Sequence, residues 1–172
     1  MLHNLPAGNW DAGERGIACH PDRVSEFRDG VALAISYAKA LQCPQLNCLA
    51  GKLPPGVARE HAHATLVGNL SFAAAALKEA GIRLLIEPIN SYDIPGFFLT
   101  RTEQALAIVE QVGSDNLFVQ YDIYHAQRME GELGATLGKH IDSLGYDGWI
   151  GCEYKPRGTT VEGLGWRAAL TS

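Results

Sequence analysis

The sequence predicts an α/β protein in which about five parallel strands form a sheet covered by helices. Short, nearly continuous apolar runs alternate with longer amphipathic stretches along the 172 residues. Continuous apolar runs are typical of parallel strands that are buried on both faces. The regular alternation, without any region made of strands alone, indicates a parallel sheet. We expect a single domain over residues 1–172.

The predicted elements follow one another in strict alternation. A short run at residues 2–5, stopped by Pro6, predicts a weak first strand. The further strands are predicted at 45–50, 82–86, 117–121 and 149–152, and the helices at 22–42, 57–80, 101–112 and 126–140. The first helix carries an apolar stripe with helical spacing between Val24 and Leu41. Gly131 and Gly134 interrupt the fourth helix, which is the weakest of the set.

The spacing of the strands narrows the choice of architecture to two. The last four predicted strands begin about 37, 35 and 32 residues apart, which fits the repeating unit of a (β/α) barrel. A doubly wound sheet has similar spacing, so the spacing by itself leaves both open. Neither GxGxxG nor GxxxxGK[ST] occurs in the sequence, so no motif supports dinucleotide or P-loop binding.

Composition excludes several classes of partner. The chain has 14 Lys and Arg against 19 Asp and Glu, a net charge of −5, whereas nucleic-acid binding requires a basic surface. No apolar run approaches the roughly 20 residues that span a bilayer. The four cysteines show no CxxC spacing, and the first residues lack the basic and apolar regions of a secretory signal. We therefore expect a reduced, cytoplasmic enzyme that binds neither nucleic acid nor membrane.

Three acidic residues stand at the ends of predicted strands. Glu87 follows the strand at 82–86, Asp122 the strand at 117–121, and Glu153 the strand at 149–152. Because the carboxyl ends of parallel strands lie at one edge, these carboxylates are expected to converge where barrel enzymes build their sites. Converging carboxylates repel one another unless a cation lies between them, and oxygen ligands suit Mg²⁺ or Mn²⁺. The alternative is that each acid simply marks a strand that emerges into solvent.

Several motifs resemble those of one enzyme family. They are HNLPAG at 3–8, GERG at 13–16, LLIEPIN at 84–90, QYDIYH at 120–125, RMEGEL at 128–133 and GCEYKP at 151–156. In this order they resemble the hydroxypyruvate isomerase family, a member of the xylose isomerase-like TIM barrels. The resemblance covers nearly the whole chain and implies a (β/α) TIM-barrel type of fold, here incomplete. Compared with the family pattern, we expect the chain to open near the third strand of the barrel and to lack the seventh, where residues 140–142 run straight across.

The resemblance also implies roles for individual residues. Glu87 and Glu153 match the paired glutamates that act as acid and base, and together with Asp122 they match three of the ligands of a divalent metal ion. The fourth ligand of the family lies on the seventh strand and has no match here. His125 and Asp93 match substrate contacts of related barrels, although Asp93 also fits ordinary turn chemistry.

The implied reaction interconverts hydroxypyruvate and tartronate semialdehyde by moving a proton between adjacent carbons. Its substrate is a small hydroxy-carbonyl acid, so a cation should face the carboxylate. Lys155, two residues after Glu153, and Arg15, in the loop after the first strand, are the candidates. Two alternatives stay open: a ketose 3-epimerase of the same barrel family, or a shortened relative without activity. An incomplete barrel exposes sheet edges, so a homo-oligomer is a further expectation.

Overall fold

The structure is a computed structural model that describes residues 3–131 and 158–159. The chain divides into two compact units, residues 1–133 and 134–172, and the first contains nearly all of the described residues. The predicted strand at 149–152, with Glu153 and Lys155, lies outside the described residues. No helix in the described part of the chain is both long and apolar enough to cross a membrane.

The first unit alternates strands and helices as the sequence predicts. Its strands are β1 (His3–Asn4), β2 (Gln45–Cys48), β3 (Arg83–Ile86) and β4 (Leu117–Val119), and its helices are α1 (Val24–Ala40), α2 (Arg59–Glu79), α3 (Thr102–Val112) and α4 (Ile123–Met129). A short 3₁₀ helix, Pro21–Arg23, precedes α1. The four strands predicted within the described residues are therefore all present.

The strand order decides between the two architectures that the spacing left open. The sheet has the order β1-β2-β3-β4, and every neighbouring pair is parallel. Because parallel crossovers are right-handed, a sheet that grows in one direction places its helices on one face. A doubly wound sheet would reverse its direction at a switch point. The unit is therefore a section of a TIM-type (β/α) barrel.

The two faces of the sheet differ in what covers them. Leu46, Leu84 and Leu117 lie opposite one another in register and are buried against the helices. The next row consists of Asn47, Leu85 and Phe118. In this row Phe118 is 42 % exposed, as expected on the face that turns away from the helices. The hydrophobic core thus lies between the sheet and the helices, where α2 contributes Leu66, Leu70, Ala73 and Leu77.

The loop after β1 and the loop after β2 approach each other so closely that their backbone atoms are in contact. Gly16 and Gly51 have φ values of +106° and +98°, a region that favours glycine. A Cβ atom on Gly16 would collide with the carbonyl oxygen of Leu49, and one on Gly51 would collide with that of Gly16. This close approach fixes the loops at the carboxyl edge of the sheet, where the candidate site lies.

The fourth helix differs from its prediction over 126–140. It begins three residues earlier, at Ile123, because the Asp122 side chain caps its first turn. It ends at Met129, and Gly131 then adopts a φ of +67°, which breaks helical geometry. The prediction of a helix continuing through residues 130 and 131 is wrong, and residues 132–140 lie outside the described residues.

Candidate metal and acid–base site

The candidate site lies at the carboxyl ends of β3 and β4. Glu87 comes directly after β3, and Asp122 stands between β4 and α4. The two strands are parallel neighbours, so both carboxylates emerge at the same edge of the sheet, as the sequence predicts. His125 joins them from the first turn of α4. Glu87, Asp122 and His125 each offer one ligand atom, and these three atoms lie within 4.8 Å of one another.

Amide side chains from the neighbouring strands hold Glu87 in place. Asn47 on β2 donates its Nδ2–H to Oε2 of Glu87 over 2.8 Å. Gln120, just after β4, donates its Nε2–H to Oε1 over 2.9 Å. Glu87 is 7 % exposed, so both oxygens receive a donor in a largely dry environment. Hydrogen bonds to a carboxylate are stronger than neutral ones, and this pair fixes the carboxylate plane.

The same two amides carry acceptor oxygens that the described residues leave unsatisfied. Asn47 Oδ1 and Gln120 Oε1 are buried and have no hydrogen-bond partner within residues 3–131 and 158–159. A buried acceptor without a partner costs about 1–3 kcal/mol. Unsatisfied acceptors beside a carboxylate suit a cation, water or a hydroxyl-bearing substrate. Together with the oxygen-rich cluster, they fit a hard divalent ion such as Mg²⁺ or Mn²⁺.

Asp122 divides its two oxygens between two tasks. Oδ1 accepts the backbone N–H of Tyr124 over 2.8 Å and that of His125 over 3.3 Å, which caps α4. Oδ2 lies 3.9 Å from Nε2 of His125. The cap therefore aims the second oxygen of Asp122 at the cluster. Because the same turn supplies His125, the short α4 sets the positions of both residues.

A second network connects His125 to Asp93. Asn90, which is fully buried, donates from Nδ2 to Oδ2 of Asp93 over 2.9 Å and to Nδ1 of His125 over 2.7 Å. Tyr124 donates its hydroxyl to the same Asp93 oxygen over 2.6 Å. The Tyr124 hydroxyl first, and then the Asn90 amide, lower the pKa of Asp93. The hydrogen bond from Tyr124 in turn accompanies a raised pKa of that hydroxyl.

Of the two cationic residues expected to face a substrate carboxylate, the structure describes one. Arg15 donates from Nη1 to the carbonyl oxygens of Trp10 (3.0 Å) and Glu14 (2.6 Å), and its guanidinium lies 3.9 Å from the centre of the Trp10 ring. It is thus held by its own loop, and a contact with substrate stays a prediction. Lys155 lies outside the described residues, as does Glu153.

Sequence reasoning overlooked the three amides of the site. Asn47 and Gln120 lie within apolar runs, where a polar residue is itself a signal. Asn90 lies three residues after Glu87, in a stretch that fits ordinary turn chemistry. Of the seven residues predicted for the site, the structure brings Glu87, Asp122, His125 and Asp93 together at one edge of the sheet.

Comparisons with known proteins identify the family and the fold of the chain. A family profile described as a xylose isomerase-like TIM barrel matches residues 1–142. The chain is 52 % identical to hydroxypyruvate isomerase of Escherichia coli K12, covering 96 % of this chain and 76 % of that protein. It is 39 % identical to a 2-oxo-tetronate isomerase of Cupriavidus necator, covering 96 % and 75 %. A crystal structure from Brucella melitensis, titled AP endonuclease, family 2, has a TM-score of 0.85 at 36 % identity, over 98 % of this chain and 77 % of that one.

The alignments also indicate a gap within the chain. The match to the Escherichia coli protein extends over 196 residues, whereas 96 % of this 172-residue chain is about 165 residues. About 31 aligned positions therefore have no residue here, which is close to one βα unit of a barrel. The absence of the seventh strand of the family pattern stays a prediction.

Proposed function

Since the chain belongs to the hydroxypyruvate isomerase family within the xylose isomerase-like TIM barrels, we propose that it interconverts hydroxypyruvate and 2-hydroxy-3-oxopropanoate (tartronate semialdehyde). The observation that carries the proposal is the cluster of Glu87, Asp122 and His125, whose ligand atoms lie within 4.8 Å of one another. This cluster combines a carboxylate suited to proton transfer with oxygen atoms suited to a divalent ion.

The reaction moves hydrogen without any external oxidant or reductant. A base removes a proton from C3 of hydroxypyruvate, and the electron pair forms the C2–C3 double bond of an enediolate. A proton then returns to C2, the hydroxyl proton at O3 is lost, and the C2 oxygen becomes the hydroxyl. The product is the aldehyde tautomer of the same composition. The protein must therefore supply a base, an acid and a means of stabilising negative charge on oxygen.

Glu87 is the proposed proton-transfer residue of the described part of the chain. Its two hydrogen bonds, from Asn47 and Gln120, fix the carboxylate and keep it from turning away from the substrate. We propose Glu153 as its counterpart on the other carbon, on the strength of the family motif at 151–156. The order in which the two glutamates act stays open.

Glu87 and Asp122 are the proposed protein ligands of the divalent ion within the described residues, with Glu153 as a third. A divalent ion such as Mg²⁺ or Mn²⁺ held by these residues would supply Lewis-acid stabilisation of negative charge on oxygen. His125 and Asp93 are proposed to hydrogen-bond the substrate, and Arg15 and Lys155 to face its carboxylate.

A second candidate substrate has an observation in its favour. The 2-oxo-tetronate isomerase of Cupriavidus necator is 39 % identical over 96 % of this chain. The same proton-transfer groups would serve such a substrate. The preference between hydroxypyruvate and the longer acid therefore depends on the volume and the charges around the cluster. A ketose 3-epimerase, or a relative without turnover, remain the alternatives that the assay must separate.

Deuterium exchange tests the proposal directly. The full chain is incubated in D₂O with Mn²⁺ or Mg²⁺ and hydroxypyruvate, and proton NMR follows loss of the C3 protons and the appearance of the aldehyde. We expect turnover in the native chain and a loss of at least a thousandfold in E87Q and E153Q, with retained folding by circular dichroism. The matched control is E103Q, an exposed glutamate on α3, which should keep the native rate.

The outcomes separate the alternatives. Exchange on 2-oxo-tetronate but not on hydroxypyruvate would transfer the assignment to the longer acid. Epimerisation of free ketoses without exchange on either acid would favour the epimerase. Native rates in E87Q would refute the role of this glutamate, and a folded chain that is inert on all three substrates would identify the silent relative.

A further inference from the structure

The orientation of the Asn90 amide is fixed by its own backbone. Its side-chain oxygen Oδ1 accepts the backbone N–H of Tyr92 over 3.1 Å and that of Asp93 over 2.9 Å. A backbone N–H can only donate, so the atom facing these two groups must be the oxygen. The usual ambiguity between the oxygen and nitrogen of an amide is therefore removed, and the other terminal atom of Asn90 is the NH₂ group.

Both hydrogens of that NH₂ group have acceptors. One is directed at Oδ2 of Asp93 over 2.9 Å and the other at Nδ1 of His125 over 2.7 Å. The backbone N–H of Asn90 also points at Nδ1 of His125, over 3.4 Å. Two donors therefore face the same ring nitrogen. A protonated Nδ1 would place a third hydrogen against them, so Nδ1 must carry the lone pair and Nε2 the proton.

From this geometry we propose that Asn90 is a positioning residue that locks His125 in the tautomer protonated on Nε2, so that His125 donates a hydrogen bond and does not ligate the metal ion. An N–H group has no lone pair to offer a cation. Histidines that ligate metals show the opposite arrangement, in which the far nitrogen donates to a carboxylate or carbonyl oxygen. Here the far nitrogen accepts from an amide.

The lock assigns separate tasks to residues that lie within one cluster. Glu87 and Asp122 remain the oxygen ligands, while Nε2–H of His125, 3.9 Å from Oδ2 of Asp122, is left to donate to an oxygen of the substrate. Identifying that oxygen as part of a hydroxy-carbonyl acid rests on the proposed function. The tautomer itself follows from the hydrogen bonds and is independent of which reaction the chain catalyses.

Asp93 and Tyr124 determine which groups of this hydrogen-bond network donate and which accept. Tyr124 donates its hydroxyl to Oδ2 of Asp93, and this oxygen also accepts from Asn90. A carboxylate can only accept, so Asp93 draws one hydrogen of the amide and leaves the other for His125. Reversing the direction would require an acceptor at position 90.

Nitrogen NMR of the histidine rings measures the tautomer directly. The full 172-residue chain is labelled with ¹⁵N-histidine, and long-range ¹H–¹⁵N correlation is recorded at about pH 8, where an ordinary imidazole is neutral. H125F identifies the signals of His125 by their loss. We expect a protonated Nε2 and an unprotonated Nδ1, both before and after saturation with Mg²⁺.

An acceptor at position 90 should invert the tautomer. Asn90→Asp keeps the oxygen that accepts from Tyr92 and Asp93, but it presents a carboxylate oxygen to Nδ1. It is made together with Asp93→Asn so that two carboxylates do not face each other. We expect the double variant to show a protonated Nδ1, and D93N alone, the matched control, to keep the native pattern.

Metal affinity gives a second readout. Calorimetric titration with Mn²⁺ should give a dissociation constant within about twofold of native in H125F, and one at least tenfold weaker in D122N. A native spectrum with Nδ1 protonated, a change of tautomer on adding Mg²⁺, or a tenfold weaker Mn²⁺ affinity in H125F would each overturn the proposal. If the double variant fails to fold, the native spectrum still decides. If the chain shows no isomerase activity, the tautomer is unaffected, so the two proposals fail separately.

Discussion

Removing the hydrogen bond from Asn47 to Glu87 distinguishes most sharply whether Asn47 serves activity or stability. Replacing Asn47 with leucine keeps nearly the same volume but removes the donor to Oε2, which lies 2.8 Å away. A hydrogen bond to a charged group is worth about 1.5–3 kcal/mol. If that energy positions the proton-transfer carboxylate, its loss lowers kcat by about tenfold to a hundredfold.

The free energy of unfolding should change less than the activation free energy of the reaction. The same substitution removes Asn47 Oδ1, which has no partner in the described part of the chain and costs about 1–3 kcal/mol while it stays unsatisfied. The lost hydrogen bond and the relieved acceptor nearly offset each other. We therefore expect N47L to unfold in urea within about 1–2 kcal/mol of the native chain.

Asn69 supplies the matched control for this experiment. It is as buried as Asn47, but it donates to the carbonyl oxygen of Ala18 over 2.9 Å, away from the cluster. N69L leaves that carbonyl without its donor, so it should lower the free energy of unfolding while the folded protein keeps its kcat. A native kcat in N47L, or a loss of rate that only follows the unfolded fraction, would refute the positioning role of Asn47.

Three further outcomes follow from other parts of the structure. Gly16→Ala forces a methyl group into the backbone of the neighbouring loop and should lower the free energy of unfolding, measured by urea titration, by more than about 3 kcal/mol. The control is Gly56→Ala, whose Cβ meets nothing within 4 Å and which should cost about 1 kcal/mol from its positive φ alone. Equal losses in the two variants would contradict the close approach of the two loops. Burial raises the pKa of the Cys48 thiol to about 12, so this cysteine should resist a disulfide reagent at about pH 8 until urea unfolds the chain. Peptide mass spectrometry measures the labelling, and rapid labelling of the folded protein would contradict the burial of Cys48. The hydrogen bond from Tyr124 lowers the pKa of Asp93, so the stabilisation from this bond is present above the ordinary aspartate pKa and is lost as pH falls through the lowered value. Y124F should therefore raise the pKa of Asp93, as measured by carboxyl NMR. An unchanged midpoint would show that the hydroxyl is not the cause.

The framework of the site could be predicted because it depends on patterns that are local in the sequence. Apolar runs ending in Glu87 and Asp122 are local, and parallel pairing then places both acids at one edge. The direction in which the sheet grows is a tertiary property, so the spacing could not separate a barrel from a doubly wound sheet. The observed order β1-β2-β3-β4 made that distinction.

The supporting groups of the site could not be predicted in the same way. Asn47 lies 40 residues from Glu87, and Asn90 lies 35 residues from His125, so neither pair is visible in local spacing. The predicted start of α4 is wrong because the sequence pattern indicates only that Asp122 ends a strand, whereas its side chain also caps the next helix. A single aspartate does both, since a carboxylate has one oxygen for the cap and one for the cluster.

The central claim is that Glu87 and Asp122 share one divalent ion at the carboxyl edge of the sheet. Calorimetric titration of the full chain with Mn²⁺ tests it most directly, with E87Q, D122N and the exposed control E103Q titrated in parallel. We predict one site in the native chain, affinities at least tenfold weaker in both E87Q and D122N, and native affinity in E103Q. Native affinity in either E87Q or D122N would contradict the shared ion and, with it, the proposed chemistry.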